Sequence, residues 1–98
     1  MTIQKQQSGS ALSVSVQGRL DTVTAPQLEA EFKGALNGIE ELTVDLSALE
    51  YVSSAGLRVL LNAQKTMNRQ GRMRISGAGA AVLEIFRVTG FINFLNIE

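Results

Sequence analysis

The stretch LTVDLSALEYVSSAGLRVLL, residues 42–61, decides the fold. It begins as a strand, with Leu42, Val44 and Leu46 alternating against polar neighbours. It ends as a helix. Leu57, Leu60, Leu61 and Met67 mark an inward face that Val59 and Ala63 widen. Between the two lie a connecting segment, the hydroxyls of Ser53 and Ser54, and the small pair Ala55 and Gly56. A central strand feeding a helix in this way points to an α/β chain.

Working outward, the N-terminal side supplies a hairpin. Residues 2–7 form a weak strand, residues 8–10 (SGS) a turn, and residues 11–20 (ALSVSVQGRL) a strand with Leu12, Val14 and Val16 on its buried face. Residues 21–38 read as a helix. Thr24 and Gln27 have capping-box spacing, and Pro26 suits a first turn. Leu28, Phe32, Ala35 and Leu36 share a face, and Gly38 supplies a stop. On the C-terminal side, Gly71 ends the serine-led helix. Residues 72–76 (RMRIS) form a strand near an edge, residues 77–90 a third helix between glycines, and residues 91–98 a short strand or tail. The expected order is β-β-α-β-α-β-α and then a possible last strand, as one domain over residues 1–98. Such an order implies a mixed, mostly parallel central sheet with an N-terminal antiparallel hairpin and about three main helices.

Composition excludes several function classes. The 98 residues include no Cys and no His. A thiolate nucleophile, a zinc site built on Cys or His, and a Ser-His-Asp relay are therefore impossible. Nine basic and nine acidic residues balance to a formal charge of +0. That leaves no footprint for a nucleic acid partner; the cluster Arg69, Arg72 and Arg74 reads as a helix end and a strand edge. The glycines of GAGAAV, residues 77–82, lack both the dinucleotide fingerprint and the P-loop lysine. No metal ligand set, cofactor motif or catalytic constellation is visible. No apolar run approaches membrane-spanning length and the first ten residues hold no apolar signal core, so a cytoplasmic protein without a membrane span is expected.

The serines carry the remaining information. Ser53 suits the N-cap of the helix and Ser54 its first position. Helical spacing carries the face of Ser54 to Arg58, Asn62, Lys65 and Arg69, all polar, while Ala55, Gly56 and Val59 leave low relief beside it. That face is either a solvated surface or an interface. Asp21 and Asp45 stand at strand ends, where α/β sites gather. Each either caps local backbone or joins Ser54 in one surface patch.

The chain resembles the STAS domains, named for sulphate transporters and anti-sigma factor antagonists, and most of all the small free-standing antagonists. VSVQGRLDTVTAPQLEAEF, LTVDLSALEYVSSAGLRVLL and VTGFINFLNI carry the likeness over nearly the whole chain. The middle segment is the specific one. The resemblance implies a non-enzymatic switch. The unphosphorylated protein binds an anti-sigma factor that is also a serine kinase, and so releases the sigma factor. Phosphorylation of one serine ends the complex, and a phosphoserine phosphatase resets it. Alignment on Gly56 and Leu57 puts that serine at Ser54, with Asp21 and Asp45 near the docking surface. Thr22, Ser53, Ala55, Gly56, Arg58 and Asn62 complete the expected partner-binding set. Many members have an acid before the modified serine and a second serine after it. Ser53 and Ala55 stand there instead, which makes Ser53 a rival target. Other branches of the family serve as constitutive subunits of stress-signalling or lipid-transport assemblies, which is the alternative reading.

Overall fold

The computed structural model describes residues 1–98. In chain order its elements are β1 (Thr2–Ser8), β2 (Ala11–Leu20), α1 (Ala25–Ala35), β3 (Glu41–Asp45), β4 (Leu49–Val52), α2 (Ser54–Gln70), β5 (Arg72–Ser76), α3 (Ala80–Thr89) and a 3-10 turn (Phe91–Asn93). The mixed α/β domain with an antiparallel hairpin and parallel crossovers is the architecture expected from the sequence.

Strand β2 organises the sheet. It pairs with β1 antiparallel, from Ser8 opposite Ala11 to Thr2 opposite Gln17. Gly9 makes the turn between them at φ +60, a conformation L side chains rarely adopt. The first half of β2 pairs parallel with β3, which pairs parallel with β5. Crossover helices α1 and α2 make those two parallel steps possible.

One face of the sheet is apolar and the other polar. Leu12, Val14, Val16, Leu42, Val44, Met73 and Ile75 are buried. Their strand neighbours Ser13, Glu41 and Arg74 are exposed, and Ser15, Thr43 and Asp45 half-buried. Helices α1 and α2 complete the core by contributing Leu28, Phe32, Leu57, Leu60, Ala63 and Met67. Val82 and Phe86 of α3 join the same cluster. Leu57, Leu60 and Met67 of α2 are buried together with Val59 and Ala63, as its periodicity predicts, but Leu61 of the expected inward face is only half-buried and Gln64 takes a buried place instead.

Four details differ from the sequence reading. The first is β4, which was expected to be part of a connecting loop. Its four residues bury only their ends, Leu49 and Val52, so no alternation betrays a strand. It forms because the end of β2 has a free edge: Gly18 pairs with Leu49, Arg19 with Tyr51 and Leu20 with Val52. The register shift that skips Glu50 falls at Gly18, whose φ of +93 suits a bulge. The second is Thr24, which occupies the N-cap position of α1 but does not cap with its side chain. Its hydroxyl turns back to accept from the Asp21 N–H and shares its one proton between the Arg19 carbonyl and Asp21 Oδ1. The third is the last segment. It forms the 3-10 turn and a single parallel bridge between Ile97 and Ile75 rather than a strand. The fourth is α1, which ends at Ala35, before the Leu36 of its expected face and the expected stop at Gly38.

Gly71 ends α2 as expected, but through space rather than backbone freedom. Its φ of 175° is ordinary extended backbone. A Cβ there would lie 1.9 Å from the Glu40 carbonyl oxygen, which accepts from the Arg72 N–H as β5 begins. Gly71→Ala is therefore expected to force α2 away from the start of β3 and to destabilise the fold by roughly 1–3 kcal/mol. Urea unfolding with an unchanged m-value measures it.

Candidate functional site

The site is built on the joint between β4 and α2. The Ser53 N–H donates to the Leu20 carbonyl at 2.8 Å, extending the β2–β4 pairing by one step. Ser53 is extended, at φ −91 and ψ 174, and its hydroxyl accepts from the Gly56 N–H at 3.3 Å. Its carbonyl accepts the first helical hydrogen bond from Leu57. Ser53 is thus the N-cap, half-buried, with its hydroxyl engaged. Ser54 opens the helix, is exposed, and its hydroxyl has no partner within the protein. The two adjacent serines are chemically distinct because one is extended and one helical.

Ala55 and Gly56 do different work. Ala55 lies at the surface, in a shallow groove between the starts of α1 and α2. The groove also holds Thr22, Pro26, Glu29, Arg58 and Asn62. Four residues of the expected partner-binding set, Thr22, Ala55, Arg58 and Asn62, are therefore brought together. Gly56 is not among them. It faces inward, where a Cβ would meet Leu20 Cγ at 2.6 Å and Val52 Cγ2 at 3.0 Å. Its place is set by the close approach of α2 to β2 and β4, not by relief on the surface.

The two carboxylates also separate. Asp21 stands beside the groove, in the turn that launches α1. Its Oδ1 accepts from the Val23 and Thr24 N–H groups and from the Thr24 hydroxyl. The backbone hydrogen bond from Thr24 is the main cause of a carboxyl pKa held below the ordinary value. Desolvation is the next largest effect and opposes it, while the Thr24 hydroxyl, the Val23 N–H and the Arg19 charge add smaller contributions that lower the pKa further. Asp45 ends β3 one residue out of phase with buried Val44, so it projects to the polar face of the sheet. There it accepts from the Ser47 N–H and neighbours Ser13, Ser15, Thr43 and Ser76. The structure does not gather Asp45 into the groove.

Several surface residues were not legible in the sequence. Val23, 82% exposed, sits on the turn between Asp21 and α1. Tyr51 is exposed on β4 with the Arg19 guanidinium 4.4 Å above its ring centroid. That contact depends on the β2–β4 pairing, for which the sequence carries no periodic signal. Pro26 and Glu29 reach the groove only because α1 and α2 are neighbours.

Comparison with known proteins agrees with this geometry. The family model described as "Mlab, STAS domain" matches residues 3–96. The chain belongs to the STAS family. A Bordetella bronchiseptica protein provisionally named anti-sigma factor antagonist BtrV is 34% identical over 88 residues, covering 88% of this chain and 76% of that one. The crystal structure of an anti-sigma factor antagonist from Mycobacterium paratuberculosis is 27% identical, with a TM-score of 0.88 over 98% of this chain and 83% of that one. The Bacillus cell fate determinant SpoIIAA in its phosphorylated form shares the fold, with a TM-score of 0.76 at 15% identity over 99% of this chain and 91% of that one.

Two measurements separate the roles assigned to these residues. Ser53→Ala should lower unfolding free energy by about 0.5–2 kcal/mol through loss of the cap, while Ser54→Ala should change it by less than about 0.5 kcal/mol. A depressed carboxyl pKa contributes stability that is fully present above the unfolded value, ordinarily 3.8, and lost as pH falls through the lower folded value. Thermal melts of Asp21→Asn in that acid range should accordingly show a shallower loss of stability than the parent.

Proposed function

We propose that this protein is an anti-sigma factor antagonist switched by phosphorylation at Ser54. It binds an anti-sigma factor that is also a serine kinase, through the surface where α1 and α2 begin, and so frees the sigma factor. The kinase transfers phosphate to Ser54, the complex separates, and a phosphoserine phosphatase restores the binding form. The protein acts as a binding module rather than an enzyme, in the cytoplasm where sigma factors work. No helix is long and apolar enough to cross a membrane, which accords with that setting.

The observation that carries this reading is the contrast between the two serines. Ser54 is exposed, helical and uncommitted, one residue before Ala55 of the groove; Ser53 is held as a cap. That contrast favours Ser54 over its rival as the modified residue. The names of the relatives support the function itself. BtrV and the Mycobacterium paratuberculosis protein carry the anti-sigma factor antagonist description, as does a Listeria monocytogenes relative named anti-sigma-B factor antagonist.

The physical consequence of modification is local. The first N–H groups of α2 and its dipole tolerate an anion at position 54, so the helix need not unfold. In the complex the same phosphate, bearing about −1.5 to −2 charges, has to be desolvated against a surface shaped for a hydroxyl. A penalty of about 3–4 kcal/mol weakens binding several hundredfold. Thr22, Ala55, Arg58 and Asn62 are the contact residues around it, with Asp21 fixing the turn that presents Thr22.

Peptide mass spectrometry on protein from cells with and without the kinase tests the reading. Kinase-dependent phosphate is expected on Ser54. Ser54→Asp should weaken binding to that kinase by roughly tenfold or more, and Ser54→Ala should bind it and resist modification. Phosphate on Ser53 would move the switch by one residue. A stable complex with no phosphate under any growth condition would instead make this a constitutive subunit.

A further inference from the structure

Helix α2 carries Arg58, Lys65 and Arg69 and no acidic residue along its whole length. At the helical repeat all three fall in one narrow stripe that Ser54 heads and Asn62 flanks. Every member of the stripe is exposed. Elsewhere in the protein every cation but Lys33 is matched. Lys5 pairs with Glu31, Arg72 with Glu41, Arg74 with Glu98 and Arg87 with Glu84. Arg19 rests on the Tyr51 ring. The cations with neither an ion pair nor a ring are the three on α2 and Lys33, which lines the groove between α1 and α2. On a chain of zero formal charge, the unmatched positive charge is concentrated on one helix layer.

Internal stability does not account for the stripe. Arg69 suits the negative end of the helix dipole, but Arg58 lies just past the first turn, near the positive end. Positions three and four residues from Arg58 hold Ser54, Ala55, Leu61 and Asn62, so no carboxylate of its own helix supports it, and Glu29 of the same groove makes no ion pair with it. Lys65 and Arg69 are themselves four apart, a like-charge pair that slightly opposes the helix.

We infer that the Arg58, Lys65 and Arg69 stripe docks an acidic face of the anti-sigma factor; this rests on the antagonist reading above. Charge complementarity requires the facing surface of that partner to be acidic. Exposed cations at an interface rim mainly speed encounter and select the partner, and their effect fades with salt. The stripe itself holds three cations, with Lys33 apart on α1, fewer than the clusters of about 4–8 usual at an anionic bilayer. The stripe also explains how a phosphate at its head acts at a distance. A near-dianion at Ser54 cancels much of the stripe's field and repels the acidic face before contact is made.

The test compares the full-length parent with the triple variant Arg58→Gln, Lys65→Gln, Arg69→Gln, by stopped-flow association with the kinase that phosphorylates Ser54. A matching thermal melt establishes that the variant is folded. Parent association should slow steeply between about 50 and 300 mM salt. The variant should associate about tenfold more slowly at low salt and respond little to salt. Equal rates and equal salt slopes overturn this inference and leave the antagonist reading standing. Failure of the parent to bind the kinase at all overturns both. Stripe-dependent binding to phosphatidylglycerol vesicles or to a DNA duplex, with kinase association unchanged, also overturns it and assigns the stripe to that ligand.

Discussion

The close seating of the first turn of α2 on the ends of β2 and β4 is the constraint on which the rest depends. Gly56 has no side chain because Leu20 and Val52 occupy the space a Cβ would need. The hydrogen bond from the Ser53 N–H to the Leu20 carbonyl fixes the same joint from the backbone side. These two contacts orient the helix about its axis. They turn Leu57, Leu60 and Met67 to the core and thereby turn Ser54, Arg58, Lys65 and Arg69 to solvent. The exposed functional face is the complement of the packing face.

The joint also divides labour between neighbours that look alike in the sequence. A hydroxyl at the N-cap is engaged by the helix it starts, and a hydroxyl one residue later is not. The turn before α1 follows a similar logic. Asp21 and Thr24 exchange hydrogen bonds among side chains and backbone, which holds the turn that carries Thr22 and Val23. Groups that resemble a reactive carboxylate and a capping threonine are chiefly structural. Ser54, one residue past the cap, keeps an exposed hydroxyl that neither the turn nor the helix engages.

Electrostatics unites the two regions. The molecule is neutral in sum but not in distribution, because its ion pairs lie on strands, on α3 and between β1 and α1. The α2 surface is left with cations alone. A modification that added negative charge at the head of that helix would change the potential of the face shared by Arg58, Lys65 and Arg69. The switch proposed above would then be a change in surface potential, compatible with a rigid small domain.

Much of this was legible in the sequence because it is local. Alternation in β2, β3 and β5, the inward stripe of α2, the cap at Ser53 and the free first position at Ser54 each follow from periods of two or 3.6 and from hydrogen-bonding capacity. The STAS likeness rests on the same stretches. Strand β4 was not legible, because a four-residue strand with a skipped residue has no period, and its pairing is offered by a distant edge. Asp45 could not be separated from Ser54 by spacing alone; the phase of β3 sends it to the opposite face. The inward role of Gly56, the neighbours Pro26 and Glu29, and the stacking of Arg19 on Tyr51 were likewise decided by tertiary structure. Each depends on which distant elements meet, and chain separation says nothing about that.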